Sequence, residues 1–214
     1  MSAARPIFHL LAGPNGAGKS TLYRAHVSNG GFVKTLEFVN ADVYEQSHLE
    51  HIADLQKRSE AARDWANSRR EALLNTKTSF VSETVFSHES KLVLITKAQA
   101  MGFDVVLYVV SVGDPQRLLA RVSQRVREGG HNVPAQRVLD RYPRTMANLK
   151  KAVRLATWLL FMTQQTLSKG RSCSLRSVKK QKPPDWQTNC QAGPLPCWTM
   201  PSERDLETSG VSVV

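Results

Sequence analysis

The residues best equipped for chemistry stand together near the start of the chain: Gly13-Pro14-Asn15-Gly16-Ala17-Gly18-Lys19-Ser20-Thr21. Their spacing fits G-x-x-x-x-G-K-[ST], a turn whose backbone N–H groups wrap phosphate oxygens. The glycines let the backbone close on an anion. Lys19 sets a point charge against β- and γ-phosphates, and the Ser20 hydroxyl suits Mg²⁺. Gly13, Asn15, Gly16, Ala17, Gly18, Lys19, Ser20 and Thr21 are therefore the candidate nucleotide-binding residues. Such a loop works between a strand and a helix. Ile7-Phe8-His9-Leu10-Leu11-Ala12 is an apolar run of buried-strand length, and Thr21 to Ala25 can open a helix whose dipole adds to the anion site.

Two acids are candidates for the same site. Leu36 to Val39 reads as a strand that ends at Asn40-Ala41-Asp42, and Phe80 to Ser87 as a strand that carries Glu83. The carboxyl end of a strand in an open parallel sheet lies on the ligand-binding edge. There Asp42 can serve as a base for an acceptor hydroxyl. Glu83 can hold a substrate hydroxyl or a Mg²⁺-bound water, with Ser82 and Thr84 orienting phosphate or sugar groups. Between the two acids, Gln46 to about Thr76 has a charged helical pattern. Leu49, Ile52, Ala53, Leu55, Ala62, Trp65, Ala66, Leu73 and Leu74 form its expected buried stripe, and Lys57, Arg58, Arg63, Arg69 and Arg70 its solvated face, with no chemistry assigned.

The remaining pattern is that of an alternating α/β chain. A helix from Glu89 to Met101 closes at Gly102, Phe103 to Val110 is the clearest buried strand, and Asp114-Pro115 starts another helix. Residues 117–154 carry 10 basic and 2 acidic groups, a net +8, equal to the whole excess of residues 1–155 (22 basic, 14 acidic). Arg117, Arg121 and Arg125 share a helix face, Gly129-Gly130-His131 interrupts the helix, and Arg137, Arg141 and Arg144 follow on the next one. A basic helix, a glycine break and a second basic helix describe a lid over phosphates. No aromatics interleave with the basic residues of 117–141, which argues against a nucleic-acid-binding ATPase that stacks bases.

Four stretches in this order resemble the zeta toxin family of P-loop kinases: GPNGAGKST at 13–21, NAD at 40–42, SETVFS at 82–87 and RVREGGHNVPAQRVLDRYPRTMANL at 125–149. The Gly-Gly-His lid is similar to that of the family's stand-alone bacterial branch. The resemblance implies a three-layer α/β fold with a parallel sheet and an Arg-rich lid at about 117–149. It also implies ATP and Mg²⁺ as cofactors, and transfer of phosphate to a hydroxyl of a nucleotide sugar such as UDP-N-acetylglucosamine. By the same resemblance Asp42 is the base, Glu83 and Thr84 touch acceptor or metal, Arg125, Arg141 and Arg144 stabilise the transferred phosphoryl, and an antitoxin is a candidate partner.

The chain's last part differs from its first. Residues 156–214 hold all three cysteines, three of the four tryptophans and half of the ten prolines, with no periodic pattern. Residues 1–155 are thus the expected kinase domain and 156–214 an atypical tail. Two explanations fit the tail: a disordered partner-binding extension, or translation in a shifted frame. If each true codon began at the third base of the one shown, every Cys and Trp would become Leu, Val or Met, and Ala156 to Thr163 could encode DLALIYD. An inactive remnant with every catalytic motif present is then an alternative to an active kinase. No apolar run reaches the length of a membrane span, so a cytosolic protein with reduced cysteines is expected.

Overall fold

A computed structural model describes residues 4–32, 35–111, 114–128, 133–163 and 174–177. Among these, β1 (Ile7–Ala12), β2 (Glu37–Val39), β3 (Phe80–Thr84), β4 (Asp104–Ser111) and β5 (Trp158–Thr163) run parallel, and β6 (Ser174–Ser177) pairs antiparallel with β5. The order is β2-β3-β1-β4-β5-β6. β1 and β3 are thereby interior strands, and their carboxyl ends meet at the centre of one sheet edge. The register sets Leu11 opposite Glu83 and Ala12 opposite Thr84, so the P-loop leaves β1 directly beside Glu83.

Alternation along the strands divides the core in two. Phe8, Leu10 and Phe80 face one layer, built from α3 (Leu55–Asn75) and α4 (Ser90–Ala100). Leu11, Val81 and Tyr108 face the other, built from α1 (Lys19–Ser28) and α5 (Pro115–Arg127). α6 (Ala135–Leu155) serves both layers, giving Val138 to the second and Leu149 and Ala152 to the first. This is the three-layer P-loop kinase architecture, with the Arg-rich α5 and α6 flanking the ligand edge.

Two sequence expectations change. The helix expected over Gln46–Thr76 is two helices, α2 (Ala41–His48) and α3, because Asp54 interrupts it as an N-cap: its Oδ1 accepts from the N–H groups of Gln56 and Lys57. Leu55 starts the new helix and is 70% exposed rather than buried. The second change is at the expected boundary after Leu155. The sheet continues through it, since Trp158, Leu159 and Leu160 are buried in β5 and Thr157 Oγ1 accepts from the Val105 N–H at 3.1 Å. Its apolar run supplies what a strand beside β4 needs even though the composition has shifted. The lid break at Gly129–Asn132, including His131, and all three cysteines lie outside the described residues.

Candidate functional site

The P-loop closes where its glycines permit. Gly16 and Gly18 have φ of 78° and 102°, in the left-handed region that side chains avoid. A Cβ on Gly13 would lie 2.0 Å from the Val110 carbonyl oxygen, and one on Gly16 would lie 2.9 Å from that of Leu118. The loop is therefore pressed between β4 and α5. α1 starts at Lys19 with no side-chain cap. Its first-turn N–H groups are the donors that phosphate oxygens require, so the loop fits a nucleotide's phosphates. Arg121 fastens the loop from behind, donating from Nη1 to the Gly16 and Ala17 carbonyl oxygens at 3.2 and 3.5 Å.

Glu83 joins the loop to the acids at the sheet edge. Its Oε2 accepts from Ser20 Oγ at 2.9 Å and from Asn40 Nδ2 at 2.8 Å, and its Oε1 lies 3.7 Å from Lys19 Nζ. Lys19 Nζ also donates to the Pro14 carbonyl oxygen at 3.0 Å. Asn40 has a second task as the N-cap of α2, where its Oδ1 accepts from the N–H groups of Asp42 and Val43 at 2.9 and 3.3 Å. One amide thus fixes Glu83 with its nitrogen and Asp42's backbone with its oxygen. Burial pulls Lys19 below the usual lysine range and Glu83 above the usual carboxylate range, while their mutual attraction opposes both shifts. Asp42 and Arg125 are close enough to act on both members of this pair.

These groups line an open cavity of ≈ 860 Å³, which also meets Asn15, Thr21, Thr84, Arg141 and Arg144. Three of the expected site residues stand apart from it. Gly13 and Ala17 are backbone supports behind the loop. Ser82 is fully buried on the α3 face of β3, its Oγ donating to the Val39 carbonyl oxygen and accepting from Arg70 Nη1, both at 3.1 Å. Alternation along β3 explains the correction, since Glu83 and Ser82 point to opposite faces. Thr84 supports as well as lines: its carbonyl oxygen accepts from the Gly13 N–H, and its Oγ1 from the Phe86 N–H. Phe86 has φ 66°, unusual for a bulky residue, and its carbonyl oxygen accepts from Asn148 Nδ2 of α6 at 3.2 Å. Of the arginines expected to form a lid, Arg121, Arg125, Arg141 and Arg144 line the cavity, whereas Arg117 is exposed beside Asp114.

The face of α3 expected to be solvated contains residues that belong to the site. Arg63, Asn67 and Arg70 line the cavity, and Arg70 is 5% exposed. Lys91 of α4 joins them, its Nζ 3.5 Å from Asn67 Oδ1. The i, i+4, i+7 spacing of Arg63, Asn67 and Arg70 is a signal that one helix face holds all three. Nothing local to Lys91 could have found it. Among the described residues no group of three or more His, Cys, Asp or Glu is placed to hold a metal. Mg²⁺ with nucleotide characteristically keeps waters and takes few protein ligands, so Ser20 and Glu83 suit it.

Comparison with solved structures shows the fold from outside. A chain of the PezAT chromosomal toxin–antitoxin system of Streptococcus pneumoniae is similar over 98% of this chain and 86% of its own, with a TM-score of 0.60 and 14% identity. The AvrRxo1-ORF1:ORF2 complex with ATP is similar over 81% of this chain and 58% of that chain, at a TM-score of 0.58 and 18% identity. A chain of the Pnkp1/Rnl/Hen1 RNA repair complex matches over 70% of this chain, at a TM-score of 0.56 and 18% identity, and this chain spans about half its length (47%). No curated protein sequence matches. No helix among the described residues is long and apolar enough to cross a membrane. With the P-loop, its flanking strand and helix, and the acids beside it in place, the match of residues 8–149 to the AAA domain model AAA_33 covers more than half of the chain, which belongs to that family.

Proposed function

We propose that this chain is an ATP-dependent kinase of zeta-toxin type that phosphorylates a hydroxyl of a nucleotide sugar such as UDP-N-acetylglucosamine. The carrying observation is Glu83, bonded to Ser20 and Asn40 beside Lys19, with Asp42 held on the next turn by the same Asn40. A site built only to bind nucleotide has no need of a second acid fixed at the cavity's open side. P-loop amides and Lys19 hold the β- and γ-phosphates of ATP. The Asp42 carboxylate takes the acceptor hydroxyl's proton as that oxygen bonds to the γ-phosphorus. The bond from phosphorus to the β–γ bridging oxygen breaks, and ADP leaves with its electron pair. Arg125, Arg141 and Arg144 offset the charge spread over the transferred oxygens. Ser20 and Glu83 would hold Mg²⁺, which when bound would neutralise charge on the nucleotide's phosphates. An antitoxin-like protein partner belongs to the same reading, supported by the likeness to the PezAT chain.

Mass spectrometry of a nucleotide-sugar mixture incubated with the protein, ATP and Mg²⁺ tests this. One nucleotide sugar should gain a phosphoryl group, and Asp42→Asn should bind ATP but leave the mixture unchanged. Consumption of ATP with phosphate released to water and no nucleotide sugar modified would remove the acceptor assignment and leave only ATP hydrolysis. A second reading, an inactive remnant with an altered C-terminus, is favoured by Trp158: its buried Nε1 has no hydrogen-bond partner among the described residues, a conflict natural cores rarely keep. Phosphorylation only by a version whose tail is read in the shifted frame would support the remnant.

A further inference from the structure

α6 changes the core layer it serves within one turn. Val138 and Tyr142 pack with the second layer, whereas Met146, Leu149, Ala152, Val153 and Leu155 pack with the first. Between Tyr142 and Met146 the helix contains Pro143. A proline inside a helix has no N–H to offer the carbonyl four residues earlier, here that of Leu139, and its ring pushes that carbonyl aside. The next carbonyl, that of Asp140, takes a side-chain donor, Arg144 Nε at 3.3 Å.

Thr145 shows the same weakness from the buried side. A threonine inside a helix ordinarily turns its hydroxyl back on the carbonyl three or four residues earlier, as Thr96 of α4 does on that of Val93 at 3.0 Å. Thr145 is fully buried, yet its Oγ1 has no hydrogen-bond partner among the described residues. A buried hydroxyl left unbonded costs stability, so an arrangement of this turn that brings the Arg141 carbonyl within its reach gains a bond. α6 is thus anchored on both sides of a weak turn, and that turn has a better-bonded alternative.

The two cavity-lining arginines of α6 stand on either side of Pro143. Arg141 belongs to the segment 135–142. Arg144 belongs to 144–155, which Asn148 ties to the Phe86 carbonyl. The bond from Arg144 to Asp140 joins the two segments, and an anion in the cavity competes for that guanidinium.

We propose that Pro143 is a hinge in α6 and a positioning residue for Arg141: when a nucleoside triphosphate occupies the P-loop, residues 135–142 turn relative to 144–155, Arg141 reaches the γ-phosphate, and Thr145 Oγ1 donates to the Arg141 carbonyl. The hinge stands on the packing and bonding of α6; the task it gives Arg141 rests on the kinase reading.

The test compares ADP with the non-hydrolysable analogue AMP-PNP on the full chain by isothermal titration calorimetry, alongside thermal denaturation. Wild type should bind AMP-PNP more tightly than ADP. Pro143→Ala restores the missing N–H, so it should raise the melting temperature and cut that preference by about fivefold or more. Thr145→Val removes the unbonded hydroxyl at equal volume and should act in the same direction on both. A proline with a structural role alone would move the melting temperature and leave the preference. Arg141→Ala should lose the preference, and Arg141→Ala/Pro143→Ala should lose no more than Arg141→Ala does. Equal affinity of wild type for the two nucleotides, a smaller loss in Pro143→Ala, a lowered melting temperature in Pro143→Ala or Thr145→Val, or additive losses in the double variant each overturn the proposal. Phosphoryl transfer is measured separately: its absence with these outcomes intact removes the kinase reading and leaves the hinge.

Discussion

The two ends of the cavity solve opposite electrostatic problems. At the P-loop, the Lys19 ammonium is buried beside Glu83, with Ser20 and Asn40 donating to the Glu83 carboxylate and the Pro14 carbonyl accepting from Lys19. At the far end, Arg70 and Lys91 share the Asn67 amide oxygen, Arg63 lies one turn before Asn67 on the same cavity wall, and among the described residues none of the three has a carboxylate within salt-bridge distance. The first end is preorganised around its own balanced charges and the second is short of negative charge. Substitutions there should fail differently: loss of catalytic geometry at one end, loss of ligand charge at the other.

The largest expected effect tests the balanced end. Lys19→Ala removes the phosphate point charge and leaves Glu83 buried without its cation, and kcat/KM for phosphoryl transfer should fall by about three orders of magnitude. Retention of more than a tenth of the activity would break the contrast. Next comes Asp42→Asn, which keeps the Asn40-capped turn but removes the proposed base. kcat should fall about 10²–10³-fold with the ATP dissociation constant within about threefold of wild type; loss of ATP binding would instead make Asp42 part of the nucleotide site.

The cationic end should respond to pH. Lys91 is charged below about 8 and neutral above it, so kcat/KM for a nucleotide-sugar acceptor should fall as pH rises through about 8, reporting the free enzyme. Arg63 and Arg70 of α3, His88 of the preceding loop and Arg141 and Arg144 of α6 share the cavity with it. The cavity's carboxylates Asp42, Glu45, Glu83 and Glu128 are not among the charges that shift it. Lys91→Met should flatten this alkaline limb. An unchanged profile would show that the arginines alone supply the attraction. Smallest is Asn148→Ala, which leaves the buried Phe86 carbonyl without its donor. Thermal denaturation should show a loss of about 1–3 kcal/mol, with a weaker effect on nucleotide binding than on acceptor KM.

The balanced end was legible in the sequence because its residues are tied by short spacing. Lys19 and Ser20 are fixed relative to the glycines by the turn itself, and Asp42 and Glu83 are each found by where a strand ends. The cationic end is built from turns of α3 and α4, and a charge on a helix reads as solvated until another element covers it. Arg70 shows this most plainly. Its helix face was expected in water, yet it lies under β3, bonded to Ser82, because the sheet's alternation turns Ser82 away from the P-loop. The break between α2 and α3 was missed for a related reason. Asp54 is a strong N-cap, but a cap inside a long charged pattern has no apolar interruption to mark it. β5 was hidden by composition, because tryptophan and a changed residue usage obscured an apolar run that only β4 could reveal as a strand.

Finally, the bond from Asn148 to the Phe86 carbonyl joins two elements that line the cavity, and so would couple the ligands each is proposed to meet. α6 carries Arg141 and Arg144, and the Phe86 loop follows directly from Thr84 of β3. A placement of that loop favoured by one ligand favours the matching placement of α6 met by the other. Linkage makes the effect reciprocal: the factor by which acceptor tightens nucleotide must equal the factor by which nucleotide tightens acceptor. Cutting this one hydrogen bond should lower both factors together.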